Sequence, residues 1–277
     1  GGKAIQAAVT GFMAKDVVIQ LLSGGGSSLA TIPAEGIEIS GLQSLTNTLL
    51  RSGATINEVN CVRKHLDLLK GGGLLQMSSP ARVAALILSD VVGSPMDVIA
   101  SGPAVPDPTT FEQALSIVES ARLSGSIPHS IIEYLQQGRR GEIPETVKPD
   151  DPIARGLHNV IIGSNSASCL AAVSKARELG LDAKLVSTEL IGEARLAGEF
   201  LADQARIFST LMRPFLRVYG GETTVTVKGS GVGGRNLETA LAAAEGLKGL
   251  EGIVLVTLAT DGEDGPSGAA GAVVTCE

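Results

Sequence analysis

Aromatic side chains are scarce in this 277-residue sequence, with no Trp, two Tyr and five Phe, or 3% of the chain. Ala, Val, Leu and Ile must fill the interior. At 44% hydrophobic content the chain can bury enough apolar surface to offset ordering entropy, which excludes intrinsic disorder. Cysteine is equally sparse: Cys61, Cys169 and Cys276 form no C-x-x-C pair and read as small buried apolar residues, as suits a reducing compartment. No apolar run approaches the ~20 residues of a membrane span. The stretches Val17–Leu22, Val83–Leu88 and Ile253–Val256 are of strand length, so a soluble protein is expected. Positive charge is not in excess either. Lys plus Arg is 22 against 29 for Asp plus Glu, a net charge of -7, which argues against nucleic acid or an anionic membrane as partner and favours small-molecule chemistry. An initiating Met and a basic-then-apolar leader are also lacking, and a fragment is expected.

Glycine is abundant instead, at 35 positions. Five short apolar runs each end abruptly in small or polar residues: VVIQLL into Ser23-Gly24-Gly25-Gly26-Ser27, VAALIL into Ser89-Asp90, NVII into Gly163-Ser164-Asn165, FLRVY into Gly220-Gly221-Glu222, and IVLVTLA into Thr260-Asp261-Gly262. Runs apolar on both faces suit parallel strands covered by helices on each side. Helices are expected over Ser40–Gly53, with a Ser40/Gln43 capping box, and from Thr55 to Leu69, with a Thr55/Glu58 box. Others are expected over Thr109–Leu123, Ser166–Leu179, Glu193–Leu211 and Asn236–Leu247. The strands at Val160 and Leu185 then flank a helix as a βαβ unit, and FLRVYGGETTVTV looks like a hairpin. The polar stretch GRRGEIPETVKPDD, Gly138–Asp151, is read as a linker or long surface loop, with a domain boundary near residue 155.

In an open α/β sheet, ligands bind beyond the carboxyl ends of the strands, and all five loops lie there. Ser23, Gly24, Gly25, Gly26 and Ser27 can form a nest of N–H donors for an anion; the alternative is a flexible turn. The segment KGSGVGGRN sets Gly229, Gly231 and Gly234 in a G-x-G-x-x-G pattern between a strand and a helix, with Gly233, Arg235 and Asn236 beside it. The acidic residue expected about 20 positions later has only a weak counterpart in Glu251. Arg235, at a helix start, can clamp a phosphate or carboxylate; the alternative is a surface salt bridge. Asp90 and Asp261 can hold Mg²⁺, with Glu263 and Asp264 close behind, although either can equally cap a helix or form a turn. Arg63, Lys64 and His65 form a basic cluster facing an anionic substrate or solvent, and Lys70 opens a KGGG stretch that is also an ordinary helix end. His129 and His158 lack ligand spacing, and neither a G-x-S-x-G elbow nor a P-loop occurs.

Six stretches carry a resemblance: LLSGGGSSL, NEVNCVRKHLDLLKGGGL, LILSDVVGSPMDVIASGPAVPDPTT, IIGSNSAS, GGETTVTVKGSGVGGRN and TDGEDGPSGAAGAVV. In this order they resemble the glycerate 2-kinase family, whose C-terminal part is the MOFRL domain. The resemblance implies ATP- and Mg²⁺-dependent phosphorylation of D-glycerate to 2-phosphoglycerate in the cytoplasm, by a two-domain α/β enzyme with its active site in the cleft. The fold implied has open, mostly parallel sheets flanked by helices. Residues 1–155 form a Rossmann-like part, and residues 156–277 a mixed α/β part with MOFRL from about residue 214.

Carried over by position, Ser23–Ser27 become the phosphate- or substrate-binding loop. Arg63, Lys64 and Lys70 belong to the basic helix, and the family's proposed catalytic arginine falls on Arg235, beside Gly233, Gly234 and Asn236. Asp90 and Asp261 fall in the family's acidic loops and are the metal candidates, Asp261 also a catalytic one. The family's early G-K-A lysine and closing G-P-T-G-T-N segment have no counterpart here, and Leu237 stands where Gln is usual. The chain is therefore expected to lack both ends of the family pattern. Two other readings stay open: a hydroxypyruvate reductase-like oxidoreductase using Gly229–Gly234 for a dinucleotide, and a catalytically silent fragment. Self-association is also left open.

Overall fold

The computed structural model describes residues 1–89, 91–121, 127–212 and 214–276. The chain divides into two compact units, Gly1–Gly163 and Ser164–Glu277. The first contains, in order, α1 (Gly2–Val9), β1 (Val17–Leu22), α2 (Gly26–Leu29), α3 (Ile39–Arg51), α4 (Ile56–His65), α5 (Gly73–Ser78), β2 (Arg82–Ser89), α6 (Phe111–Ser120), α7 (His129–Arg139) and β3 (Leu157–Ser164). Strands β1, β2 and β3 form one sheet in that order, and β1 and β2 run parallel with Val18 opposite Val83 and Leu22 opposite Ile87.

Two apolar clusters build this unit. Beneath the sheet, Val83, Ala85 and Ile87 of β2 bury against Val9 of α1 and Leu74 and Leu75 of α5. Away from the sheet, α3, α4, α6 and α7 enclose Leu45, Leu49, Val62, Phe111, Leu115, Ile131 and Leu135. The expected parallel strands flanked by helices are present, with α1 and α5 packed on one face of the sheet. On the other, Val17, Ile19, Leu21 and Leu88 stand between 50% and 76% exposed. Side chains alternate across a strand, so a continuous apolar run reports two apolar faces without saying what covers them.

Local signals place the helix ends. Thr55 and Glu58 close the expected capping box at the start of α4. Ser40 and Gln43 do not close one. Helix α3 starts one residue earlier, with Glu38 at its N-cap, and the Ser40 hydroxyl donates to the Glu38 carboxylate. Helix α6 starts after Thr110, which closes a capping box with Gln113, while the Thr109 hydroxyl is held by Asp107. Helix α4 stops at His65, short of the expected Leu69. The Gly138–Asp151 segment lies inside the first unit, where Val147 is buried and exchanges backbone hydrogen bonds with Gly71 and Asp107.

The second unit contains α8 (Asn165–Glu178), β4 (Asp182–Glu193), α9 (Ala194–Phe208), β5 (Phe215–Thr224), α10 (Arg235–Gly246), β6 (Val254–Leu258) and β7 (Gly271–Thr275). Strands β4 and β5 are parallel, and β6 and β7 form an antiparallel pair. Two expectations change here. The strand at Val160 is β3, hydrogen-bonded within the first sheet, so it makes no βαβ unit with β4. The segment FLRVYGGETT is one strand, not a hairpin. Gly220 and Gly221 are not turn residues: a Cβ on Gly220 would stand 2.4 Å from the Asn165 and Cys169 side chains, and one on Gly221 1.9 Å from the Leu190 carbonyl oxygen. Close approach, not positive φ, demands glycine at both. Gly221→Ala should destabilise this unit by about 1–3 kcal/mol, read as a lower urea midpoint.

Candidate functional site

In the first unit the glycine loop leaves the carboxyl end of β1. Gly25 has a φ of 81°, and a Cβ on Gly26 would stand 2.8 Å from that of Ala100. Ala100 and Ser101 are themselves left-handed, with φ of 51° and 59°, a conformation costing non-glycine residues about 1–2 kcal/mol each. Burial holds it in place, since Ser101 is fully buried. The Ser101 hydroxyl donates to Asn60 Oδ1 at 3.1 Å and lies 2.8 Å from the Ser27 hydroxyl. With its single proton directed at Asn60, Ser101 accepts from Ser27.

The basic residues divide between two networks. Arg63 Nη2 donates to the Ser27 carbonyl at 2.6 Å, and Lys70 Nζ to the Ala30 carbonyl at 2.9 Å and Thr31 Oγ1 at 3.1 Å while pairing with Asp67. Ser27, Arg63 and Lys70 are thus brought together, and Ser23 and Gly24 stay exposed at the mouth of the loop. Lys64 turns away, 3.3 Å from Asp97 and 3.4 Å from Asp107. The solvated-face alternative fails, because Lys64 and Lys70 are buried. Burial pushes the Lys70 ammonium below its ordinary pKa, opposed by the Asp67 charge.

Asp107 anchors the second network, accepting from Thr109 N–H and Oγ1 and from Thr146 Oγ1. Beside it, His65 stacks edge-on against Phe111 and meets Glu145 at 3.1 Å. Burial alone would lower the His65 pKa; hydrogen bonds to the Cys61 carbonyl and Glu145, with the Asp107 charge, outweigh it and raise it to about 9. Burial opposes ionisation of Glu145 too, yet His65, the Phe111 N–H and Lys148 hold it at about 2. A raised histidine pKa stabilises fully below its unfolded value of 6.5, and that stability is lost as pH rises through about 9. The carboxylate contributes above 4.5 and is lost as pH falls through about 2. Unfolding free energy should therefore be highest near pH 4.5–6.5 with respect to this pair, and His65→Phe should flatten the decline between pH 6.5 and 9 in urea titrations.

In the second unit, Arg235 opens α10 and pairs with Glu222 at the end of β5, also donating to the Thr223 carbonyl at 3.3 Å. Its side chain is 47% exposed. In the glycine pattern before it, none of Gly229, Gly231, Gly233 and Gly234 has positive φ. The helix N-terminus is already filled. The buried Asp264 carboxylate accepts from Asn236 N–H at 2.9 Å, Leu237 N–H at 2.8 Å and the Asn236 side-chain amide at 3.2 Å. Gly234 permits this approach, since a Cβ there would stand 2.5 Å from Asp264. Asn236 is thus engaged within the protein. Asp261 is exposed, and its Oδ1 accepts from the Glu263 N–H at 3.4 Å. Asp90 lies outside the described residues. No cluster of three or more His, Cys, Asp or Glu suited to a metal occurs among the described residues. Nor is any helix among them long and apolar enough to cross a membrane.

Asn60, Asp97, Ser101, Asp107, Glu222 and Asp264 are the residues that sequence reasoning passed over or left without a role. Asp107 carried a signal, since Pro-Asp-Pro two residues before Thr109 is an Asx-turn pattern. The Asp264 cap did not, because its helix begins 29 residues earlier.

Residues 1–136 match a domain of unknown function, DUF4147, and residues 215–277 match the MOFRL family. The chain is 46% identical over 233 residues to glycerate 2-kinase from Pyrococcus horikoshii, covering 82% of this chain and 52% of that one. It is 35% identical over 286 residues to glycerate kinase from Macaca fascicularis, covering 88% of this chain and 70% of that protein. The crystal structure of glycerate kinase from Thermotoga maritima superposes with a TM-score of 0.87 at 42% identity, over 99% of this chain and 64% of that one. The chain spans about half the length of the archaeal relative. Shared sequence across both units, matched by shared structure, shows that the chain belongs to the glycerate kinase family.

Proposed function

We propose that this protein transfers the γ-phosphoryl group of ATP to D-glycerate, giving 2-phosphoglycerate, as a cytoplasmic enzyme. The observation that carries the reading is Arg235: an exposed guanidinium held by Glu222 at a helix start, in a chain 46% identical to a glycerate 2-kinase. Phosphoryl transfer asks the protein for positioning and positive charge on the migrating group, and an arginine serves this better than a lysine because its planar fork binds two oxygens at once. In this reading Arg235 stabilises the transferred phosphoryl group. Ser23, Gly24, Gly25, Gly26 and Ser27 supply N–H and hydroxyl donors to phosphate, and Arg63 and Lys70 brace that loop and add positive potential behind it.

Mg²⁺ is usually held by one or two carboxylates together with substrate phosphates and water, so a three-carboxylate cluster is not required. Asp261, exposed and weakly engaged, fits that need; Asp264, buried and accepting three hydrogen bonds, does not. Bound with ATP, the ion neutralises charge on the phosphates. Asp261 is the residue assigned to hold it, and Gly233, Gly234 and Asn236 set the position of Arg235.

The oxidoreductase reading needs the N-terminus of α10 for a pyrophosphate, where the Asp264 carboxylate stands. Titration with ATP and MgCl₂ should give a saturable response, and titration with NADH none. NADH binding with no response to ATP would overturn the kinase reading.

A further inference from the structure

In the first unit a half-open cavity of about 240 Å³ has a lining that includes Asn57, Asn60, Lys64, Asp97 and Thr109. Asn57, Asn60 and Lys64 fall at helical spacing on one face of α4. Two of these polar side chains are almost wholly buried, Asn60 and Lys64 each at 4% exposure. Asn60 Oδ1 accepts from Ser101, and among the described residues its amide nitrogen meets no acceptor. That nitrogen keeps solvent access where Asn60 lines the cavity, so its proton is free for an acceptor that enters there. Lys64 is also incompletely matched. Its contacts of 3.3 Å and 3.4 Å to Asp97 and Asp107 exceed the ~2.7–2.9 Å of a good charge-assisted hydrogen bond. Thr109 is committed to Asp107, whereas the Asp97 side chain is 41% exposed.

We propose that this cavity binds the phosphoryl acceptor, a small hydroxycarboxylate. Its carboxylate accepts hydrogen bonds from Asn60 Nδ2 and Lys64 Nζ, and the Asp97 carboxylate accepts one from a hydroxyl. This inference rests on the kinase reading above. Cavity size supports it: pockets for drug-sized ligands span about 300–1,000 Å³, so this one suits a three-carbon acid rather than a nucleotide. Connectivity supports it too. Asn60 faces the cavity through its nitrogen, and through its oxygen it is joined by Ser101 to Ser27 of the glycine loop, two hydrogen bonds away.

Calorimetric titration of the 277-residue chain with D-glycerate, and with glycerol as a probe lacking the carboxylate, tests this. The wild type should bind glycerate and not glycerol. Asn60→Asp retains the acceptor for Ser101 but replaces the donor with a negative charge, and should weaken glycerate binding by about tenfold or more. Asn57→Asp is the variant that folding cannot confound, because Asn57 is exposed in the first turn of α4, where an acid suits the helix. It should weaken binding by about two- to fivefold through the same repulsion. If both variants bind glycerate like the wild type, the acceptor lies elsewhere and the kinase reading stands. If the wild type responds to ATP but not to glycerate, both inferences fail.

Discussion

Replacing Arg235 with alanine should lower the rate of glycerate phosphorylation by at least three orders of magnitude and leave the thermal midpoint within about 1–2 °C of the wild type. The two halves of this expectation have separate causes. An arginine acting on a transferred phosphoryl group contributes about 10³–10⁵ in rate. Its only described ion pair is with Glu222, both side chains are more than 40% exposed, and exposed pairs contribute about 0–1 kcal/mol. Helix α10 keeps its cap, because Asp264 bonds the N–H groups of Asn236 and Leu237 and not the Arg235 side chain. Arg235→Lys should recover little of the rate, since a point charge cannot reproduce the two-pronged fork. Single-turnover kinetics with calorimetric melting of each variant checks this. A variant that melts early and loses activity in proportion would make Arg235 a structural residue.

The largest effect on stability should come from Asp67. Its carboxylate, 5% exposed, accepts from the Ile32 and Leu69 N–H groups and pairs with Lys70, itself 2% exposed. Asp67→Ala leaves a buried ammonium with only the Ala30 carbonyl and Thr31 hydroxyl, and two buried amides with no acceptor. Breaking one side of a buried pair costs about 3–5 kcal/mol, a large share of the 5–15 kcal/mol that holds a typical domain. Urea unfolding should show that loss. Asp67→Asn, which keeps an acceptor for the amides, should lose less, and Asp67→Ala with Lys70→Met should regain part of it by removing the stranded charge. Because Lys70 ties the chain just after the glycine loop, phosphate binding should weaken alongside stability.

What was legible in the sequence was local. The strands VVIQLL, VAALIL and NVII, and the helix that Thr55 and Glu58 start, follow from apolar runs and caps a few residues long. Partnerships between distant segments were not. The strand at Val160 reads as the first of a βαβ unit, but which sheet it joins is decided by edges far away in sequence. FLRVYGGETT reads as a hairpin because a Gly-Gly pair signals a turn equally well as a close backbone approach, and only the Leu190 carbonyl reveals which. At the candidate site, Ser27, Arg63 and Lys70 were named from their motifs and do converge. Asn60 and Asp97 escaped notice because a lone amide and a loop carboxylate carry no pattern; the cavity they line is what marks them. Asp264 looked like one more acid of TDGEDG, and its role as the cap of a helix 29 residues earlier appears only in the fold.

Phosphorus NMR of the 277-residue chain incubated with ATP, MgCl₂ and D-glycerate follows the phosphoryl transfer itself. A 2-phosphoglycerate resonance should grow as ATP is converted to ADP, and the Arg235→Ala chain should give none over the same interval. A wild-type reaction in which ATP stays intact and no phosphoglycerate forms would contradict the kinase reading.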